Sequence, residues 1–374
     1  MDEASLQLHH ELRKSLQDEL SSRRPLVHDL HQTWLIQVPR PASSVRNGAR
    51  FYYNLLILKW LQPTGAIDDS PVEWRTLITG IEALAEDLRT KASQGRRSNV
   101  TVNGHGEQDS LVDAVIVTAS DVSRKTLSCI HPDVPIFTNA QAAQQIDGWH
   151  CFRNVIVIRE FEPHAGVLDW TSSSLLLPEW LGINWISQDD THAALMVTFS
   201  SKQGSAHAEL ANSAITSRTR RKEQCAIMEL DDDDESAEAI IYVPSSVGHK
   251  GLEVVTSASP PIRTLALIYD PSHKVLSLPS KLQGPDIVHA QRDLKARYWI
   301  SSKAKIEQRN GFLSWFAPQK EMLTPKGLLD RLLDHKRTRC EQTRECHAAV
   351  DETLDAFQDV EWLDFTIGTS RILR

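Results

Sequence analysis

Asp113-Ala-Val-Ile-Val-Thr-Ala-Ser-Asp-Val-Ser-Arg-Lys-Thr-Leu127 is the stretch that decides the fold of this 374-residue chain. Its first part, Asp113 to Thr118, is a short apolar run that is typical of a buried strand. A polar turn follows, and a helix is predicted to begin near Ser123. A strand, a turn and a helix in this order are typical of a layered α/β protein.

The same alternation of strand and helix extends outward on both sides of this stretch. Further strands are predicted at residues 33–38, 52–58, 135–138, 154–161, 193–199, 239–243, 264–269 and 297–301, and helices at 72–91, 140–147, 287–296 and 323–357. The strands are apolar enough to be buried on both faces, so helices should cover the sheets. Because both halves of the chain show the pattern, we predict a four-layer αββα sandwich rather than two separate domains.

Two polar segments interrupt or extend this sandwich. Residues 200–238 carry a basic block and then an acidic block, which predicts a disordered insertion within a β-hairpin. Leucines at positions 8, 12, 16 and 20 form a narrow helical stripe, which packs either on the core or on a second copy of the chain in a homo-oligomer. The predicted boundaries are 1–30 for an N-terminal helical extension, 31–320 for the sandwich and 321–374 for a C-terminal helical segment.

Composition excludes several classes of function. The chain is 41% hydrophobic and 24% charged with a net charge of −8, which gives no reason to expect a nucleic-acid partner. No apolar run is long enough to span a membrane, and the first residues show no apolar signal segment. The five cysteines lack the paired spacing of a zinc ribbon and are odd in number. We therefore expect a cytoplasmic protein.

A series of short blocks resembles a fungal branch of the metallo-β-lactamase-fold superfamily. No single block is diagnostic, but their order along the chain matches the family. The blocks are residues 34–41, 52–57, 113–118, 134–138, 177–183, 192–199, 239–244, 257–262 and 290–300. The resemblance implies the αββα fold and a site at one edge of the sheets, where His and Asp ligands hold one or two metal ions and generate a bound hydroxide.

The residues at the family's ligand positions depart from that chemistry. The turn after the strand at 113–118 holds His-x-His-x-Asp-His in the family, and here it reads Ala119, Ser120, Asp121, Val122, Ser123, Arg124. A permanent cation at Arg124 would repel a divalent metal ion.

The other ligand positions that the resemblance implies are mostly lost as well. His192 is retained. The usual aspartate falls on Leu58 or Lys59, and the last histidine falls near residues 301–303. Asp270 and His273 offer further ligands in uncertain register. Since a catalytic metal normally takes three protein ligands, we predict neither a metal nor another cofactor.

Three residues are predicted to be catalytic, each with a simpler alternative. His192 is an acid or base, or a leftover histidine at a strand edge. Asp121 is a general base, or the cap of the helix that follows it. Arg124, together with Lys125, binds an anionic or carbonyl oxygen of the substrate, or is only a surface charge.

The predicted substrate is a small apolar organic molecule. Trp170, Trp180 and Trp185 lie within sixteen residues and form either an aromatic lid over an apolar pocket or part of a packed interlayer. The remaining predicted substrate-binding residues are Tyr242, Ser245, Ser246, Asp270 and His273.

Three functions are compatible with these residues. The first is a metal-independent cyclase or isomerase of fungal natural-product biosynthesis, with a pericyclic cycloaddition as its most specific form. The second is a non-catalytic pseudoenzyme that binds or scaffolds partners. The third is a hydrolase with an altered metal site built from His192, Asp121, Asp270 and His273.

Overall fold

The computed structural model describes residues 24–30, 33–41, 50–58, 78–81, 83, 111–118, 124–128, 130–163, 174–189, 192–200, 237–244, 249–258, 261–270, 284–302, 325–340, 354–365 and 369–373. The predicted N-terminal leucine helix and residues 201–236 of the predicted insertion lie outside this described part. Within it, two β-sheets hold thirteen strands.

Sheet A has seven strands in the order β13-β1-β2-β3-β4-β5-β6. The strands β13, β1, β2 and β3 pair antiparallel, whereas β3 to β6 are parallel. Their bounds are β1 Leu26–Leu30, β2 Thr33–Pro39, β3 Tyr52–Leu58, β4 Ala114–Val117, β5 Ile136–Thr138, β6 Val155–Val157 and β13 Ser370–Ile372.

Sheet B has six strands in the order β12-β11-β10-β9-β8-β7. The hairpin β7–β8 and the pair β8–β9 are antiparallel, and β9 to β12 are parallel. Their bounds are β7 Leu181–Asp189, β8 His192–Ser200, β9 Ala237–Pro244, β10 Ile262–Asp270, β11 Tyr298–Ser302 and β12 Glu361–Phe365. Each sheet thus begins with an antiparallel hairpin and continues into parallel strands, so the two halves repeat one plan.

Helices cover the outer face of each sheet. On sheet A lie α1 (Arg124–Leu127), α2 (Ala140–Asp147) and a helical stretch at residues 78–81. On sheet B lie α3 (His249–Leu252), α4 (Gly284–Leu294) and α5 (Pro325–Cys340). The side chain of Asn139 accepts a hydrogen bond from the N–H of Ala142 at 2.8 Å and so caps the first turn of α2.

Three hydrophobic clusters define the layers. The central cluster joins inward side chains of both sheets, such as Trp34, Ile57, Leu195 and Ile300. A second cluster lies between sheet B and its helices, and a third lies between sheet A and its helices. The predicted four-layer αββα sandwich is therefore confirmed by helix, sheet, sheet and helix in succession.

Most predicted elements are present, with some differences. The strand expected at 154–161 is only Val155–Val157, because the chain then leaves sheet A and Glu160 bridges Trp185 of β7. The helix expected at 287–296 is Gly284–Leu294, and Lys295 ends it with a positive φ of 47°.

Four strands, β1, β7, β12 and β13, are not among the predicted elements. Three of them lie in segments for which the sequence predicts helical extensions: β1 within residues 1–30, and β12 and β13 within 321–374. They belong to the two sheets, so strands from both ends of the described chain complete the sandwich. No helix among the described residues is long and apolar enough to cross a membrane.

A chain of buried polar side chains crosses the outer face of sheet A. The Gln37 amide donates to Asn54 Oδ1 at 2.8 Å, and the Asn54 amide donates to the carbonyl of Leu111 at 2.8 Å. The oxygen of Gln37 must then accept from His28 Nε2, at 2.8 Å, which leaves Nδ1 to accept from the Ser370 hydroxyl at 2.6 Å. These hydrogen bonds fix the neutral imidazole of His28 in the tautomer with its proton on Nε2. Burial lowers the pKa of this imidazole to about 4.

The carboxylate of Asp113 completes this polar region at the beginning of β4. Arg40 and Arg50 reach its Oδ1 at 2.7 and 2.6 Å, and the backbone N–H of Asn54 reaches Oδ2 at 2.7 Å. Burial raises the pKa of Asp113 above its ordinary value even though both guanidinium groups lower it. The guanidinium of Arg40 also lies over the ring of Tyr53, 5.0 Å from its centroid.

Candidate functional site at the carboxyl edge

The parallel strands of both sheets end at the same side of the sandwich, which we call the carboxyl edge. Two contacts show this common direction. Arg24, which precedes β1, bonds Glu238 near the start of β9 at 3.2 Å. Trp180, which precedes β7, packs edge-on against Tyr53 near the start of β3, with ring centroids 6.0 Å apart. Ligands in open α/β sheets bind at the carboxyl ends of strands, so this edge is the candidate site.

Hydroxyl side chains close the ends of the strands at this edge in sheet A. The Thr118 hydroxyl donates to the carbonyl of Leu58 at 3.0 Å. The Thr138 hydroxyl donates to the carbonyl of Val117 at 2.9 Å. These bonds satisfy strand-end carbonyls and fix the point at which the chain leaves β4 for residues 119–123.

Two predicted site residues lie at the carboxyl edge of sheet B. His192 is the first residue of β8, and it pairs with Asp189 across the β7–β8 hairpin. Asp270 is the last residue of β10 and pairs with Pro244, the last residue of β9. The backbones of His192 and Asp270 therefore both lie on the carboxyl edge, with β9 between their strands; their side chains lie outside the described part.

Arg124 begins α1 directly after the turn at the end of β4. Its side chain is exposed, and its Nη2 lies 3.4 Å from the sulfur of Cys151, which follows α2. That contact joins two segments of the helical layer outside sheet A and turns the guanidinium away from the interlayer. Lys125 follows in the same helix, and its side chain is outside the described part.

Trp185 and Tyr242 lie in the interlayer core beneath the carboxyl edge. Both are buried, and both belong to the central cluster. Trp185 pairs with Leu195, three residues along β8 from His192, or about 10 Å from the edge. Among the described residues, the indole Nε1 of Trp185 is buried and has no hydrogen-bond partner. Such a donor in an apolar core calls for an explanation.

Trp180 is at the other end of the sandwich. It contacts Tyr53, which is five residues from Leu58 along β3, or about 17 Å from the carboxyl edge. The structure thus does not bring Trp180 together with His192 and Asp270. The remaining predicted site residues lie outside the described part: Asp121, Trp170, Ser245, Ser246 and His273.

Two polar features of this edge are not among the site residues predicted from the sequence. Asp29 is fully buried near the end of β1, on the interlayer side that it shares with Val27. The Ser301 hydroxyl donates to Asp364 Oδ1 at 2.8 Å between β11 and β12. The only sign of Asp29 in the sequence is a single acidic residue within a short apolar stretch. Asp364 lies on β12, which the sequence does not predict as a strand.

Only some of the ligand positions that the family resemblance implies lie within the described part. The resemblance implies an aspartate at position 58 or 59; Leu58 is a buried apolar side chain, and Lys59 lies outside the described part. Arg124 stands at a histidine position as an exposed cation. No group of three or more His, Cys, Asp or Glu residues within the described part could hold a metal ion.

Comparison with known proteins finds similarity only among solved structures. No family model and no curated protein match the chain. The metallo-β-lactamase fold protein YhfI from Bacillus subtilis is 9% identical with a TM-score of 0.32, over 74% of this chain and 85% of that one. CmlA, a diiron β-hydroxylase from Streptomyces venezuelae, is 9% identical with a TM-score of 0.41, over 94% of this chain and 54% of its own. The chain thus spans about half the length of CmlA.

Proposed function

We propose that this protein is a metal-independent enzyme on a metallo-β-lactamase-like scaffold, with its active site at the carboxyl edge. It acts on a small apolar organic substrate as a cyclase or isomerase of fungal natural-product biosynthesis. The most specific form of the proposal is a pericyclic cycloaddition. Such reactions need no metal ligand, because they gain rate from holding a reactive conformer and from polarising one carbonyl group.

The observation that carries this proposal is the indole N–H of Trp185. It is buried in the interlayer beneath the edge without a hydrogen-bond partner among the described residues. A ligand carbonyl that reached into the interlayer would accept this hydrogen bond and remove the cost of the unpaired donor, about 1–3 kcal/mol. His192 at the start of β8 and Asp270 at the end of β10, both on the carboxyl edge, would supply an acid–base group and a carboxylate.

A pair of matched variants tests the role of Trp185. Trp185→Phe removes the N–H and keeps an aromatic ring, and Trp180→Phe makes the same change at the opposite end of the sandwich. Intermediates made by the enzymes encoded beside this gene would be incubated with each variant, and the products followed by mass spectrometry. We expect Trp185→Phe to lower kcat/KM about tenfold and Trp180→Phe to leave it unchanged.

The three residues that the sequence predicts to be catalytic are tested in the same assay. His192→Ala, Asp121→Asn and Arg124→Gln should each slow turnover if they contact the reacting atoms. If the turnover rates of these three variants and of Trp185→Phe all equal that of the wild type, the proposal of an enzyme at this site is wrong.

One observation favours the second function, a non-catalytic binding protein. Leu175 is fully exposed and the adjacent Leu176 is 46% exposed, just before the buried Leu177. Neighbouring exposed leucines mark contact surfaces more often than single ones. If they join two copies of the chain, the Leu175→Ser/Leu176→Ser variant will elute as a smaller species in size-exclusion chromatography with light scattering.

A further inference from the structure

A groove of about 650 Å³ lies on the outer side of sheet B, at the end opposite the carboxyl edge. Arg263 near the start of β10, Arg297 just before β11 and Glu361 at the start of β12 line it. Its volume lies within the range of small-molecule sites in proteins. The groove lies at the starts of β10, β11 and β12, whereas the site proposed above lies at the end where the parallel strands finish. The two sites are therefore separate, and binding in the groove does not depend on the proposed function.

The charges of the groove are divided by sign. Residues from β10, the end of α4 and the start of β11 are basic, whereas those of the segment leading into β12 are acidic. The basic residues are Arg263, Arg292, Lys295 and Arg297, and the acidic residues are Asp355, Asp359 and Glu361. Ala296, Ala356 and Val360 provide an apolar surface between them.

The basic side is held rigidly by the turn that ends α4. Lys295 has a φ of 47°, and its N–H donates to the carbonyl of Gln291 at 2.8 Å. The Gln291 side chain donates to the carbonyl of Ala296 at 3.1 Å and accepts from Trp299 Nε1 at 2.6 Å. A left-handed backbone conformation at a lysine costs about 1 kcal/mol. The three hydrogen bonds around Gln291 offset this cost and hold the turn in place.

The two sides of the groove neutralise each other only in part. Arg297 and Glu361 form a long ion pair across it at 3.8 Å, and Arg263 reaches Glu238 outside the groove at 3.9 Å. Within the described part of the chain, Lys295, Asp355 and Asp359 take part in no ion pair. A molecule that bridges the groove with charges of both signs would meet partners on both sides.

We propose that this groove binds a small zwitterion, with a carboxylate or phosphate on the basic side, an ammonium on the acidic side and a short apolar body between. The planar guanidinium groups suit the planar or tetrahedral oxygen anions, since they donate two parallel hydrogen bonds. The carboxylates of Asp355 and Asp359 suit an ammonium, which has donors only.

Calorimetric titration tests the proposal with trialanine and with phosphoethanolamine, which separate a carboxylate zwitterion from a phosphate one. N-acetyl-trialanine and trialanine amide each lack one charge. We expect at least one zwitterion to bind with a dissociation constant of about 1 mM or below, and each blocked peptide to bind about tenfold more weakly than trialanine if trialanine is the ligand. Equal binding of blocked and free peptides, or no binding of either zwitterion, would overturn the proposal.

Two variants identify the groove as the site. Lys295→Gly removes the ammonium and relieves the left-handed backbone, so the protein should fold at least as well. Asp359→Asn removes one carboxylate from an exposed position. Each should weaken binding several-fold, whereas Lys326→Gln, an exposed change on α5, should not. An equal loss in Lys326→Gln would show that the binding is non-specific attraction to charge.

Discussion

The imidazole of His28 is kept neutral by the polar chain across sheet A, and this makes stability depend on pH. The pKa is about 4 in the folded protein and 6.5 in the unfolded chain. Between these values the unfolded chain binds more protons than the folded one, so stability is complete above the upper value and falls as the pH drops. The loss approaches about 3 kcal/mol near the lower value.

Urea unfolding of the wild type and of His28→Gln at neutral pH and at about pH 4.5 checks this dependence. The decrease in unfolding free energy on acidification should be smaller in the variant by about 2–3 kcal/mol. The raised pKa of Asp113 acts in the opposite direction, but it is present in both proteins and cancels in the difference. Parallel losses in the two proteins would show that His28 does not titrate.

The carboxylate of Asp113 is the second residue with a predicted effect on stability. Asp113→Ala leaves Arg40 and Arg50 partly buried without their common partner and removes a bond to the N–H of Asn54. Because both arginines retain some exposure, we expect a loss of about 2–4 kcal/mol. Asp133→Ala is the matched control, because its ion pair with Arg153 is exposed; it should cost less than about 1 kcal/mol.

At the scale of elements, the hairpin β8–β9 encloses residues 201–236. Ser200 pairs with Ala237, so the two ends of this segment lie beside each other. A four-residue turn should therefore replace residues 202–235 without disturbing the hairpin, and loop closure should become easier by about 1–2 kcal/mol. Thermal unfolding of the shortened protein measures the change. A lower Tm would show that the segment contributes contacts to the folded protein.

The elements that could be predicted from the sequence are those whose own pattern of apolar residues shows which of their side chains are buried. β4 is apolar and buried throughout, β3 is buried throughout and apolar except for Asn54, and α2 has its cap and its apolar stripe within a few residues. β1, β12 and β13 are short and contain polar residues such as His28 and Asp364. They become strands because they pair with distant segments, which local pattern does not show.

The candidate site could be predicted in location but only in part in detail. The carboxyl edge follows from parallel strands, and the ends of apolar runs place His192 and Asp270 there. Trp180 and Trp185 are close in sequence, but the extended strand β7 separates them. Trp180 lies at the end of the sandwich opposite the carboxyl edge, whereas Trp185 lies closer to that edge. Whether Trp185 Nε1 finds a hydrogen-bond partner depends on how the layers pack, and the sequence gives no sign of it.

At the scale of the whole molecule, packing between layers accounts for the cohesion of the described part. The three hydrophobic clusters link all four layers, and the residues that the structure describes include no set of metal ligands. If the protein is metal-independent, as proposed above, its Tm should differ by less than about 1 °C between protein treated with a chelator and protein supplied with zinc, iron or manganese. A Tm several degrees lower after chelation, reversed by one metal, would instead support the altered hydrolase site.

The pairing of β13 with β1 joins the two ends of the described chain. Arg24 Nε donates to the carbonyl of Leu373 at 3.1 Å, and the N–H of Leu373 donates to the carbonyl of Pro25 at 2.9 Å. During synthesis, β1 thus leaves the ribosome more than 300 residues before β13, which covers its outer edge. From the synthesis of β1 until that of β13, the nascent chain presents an open β edge, and this is the interval in which a chaperone would have to protect it.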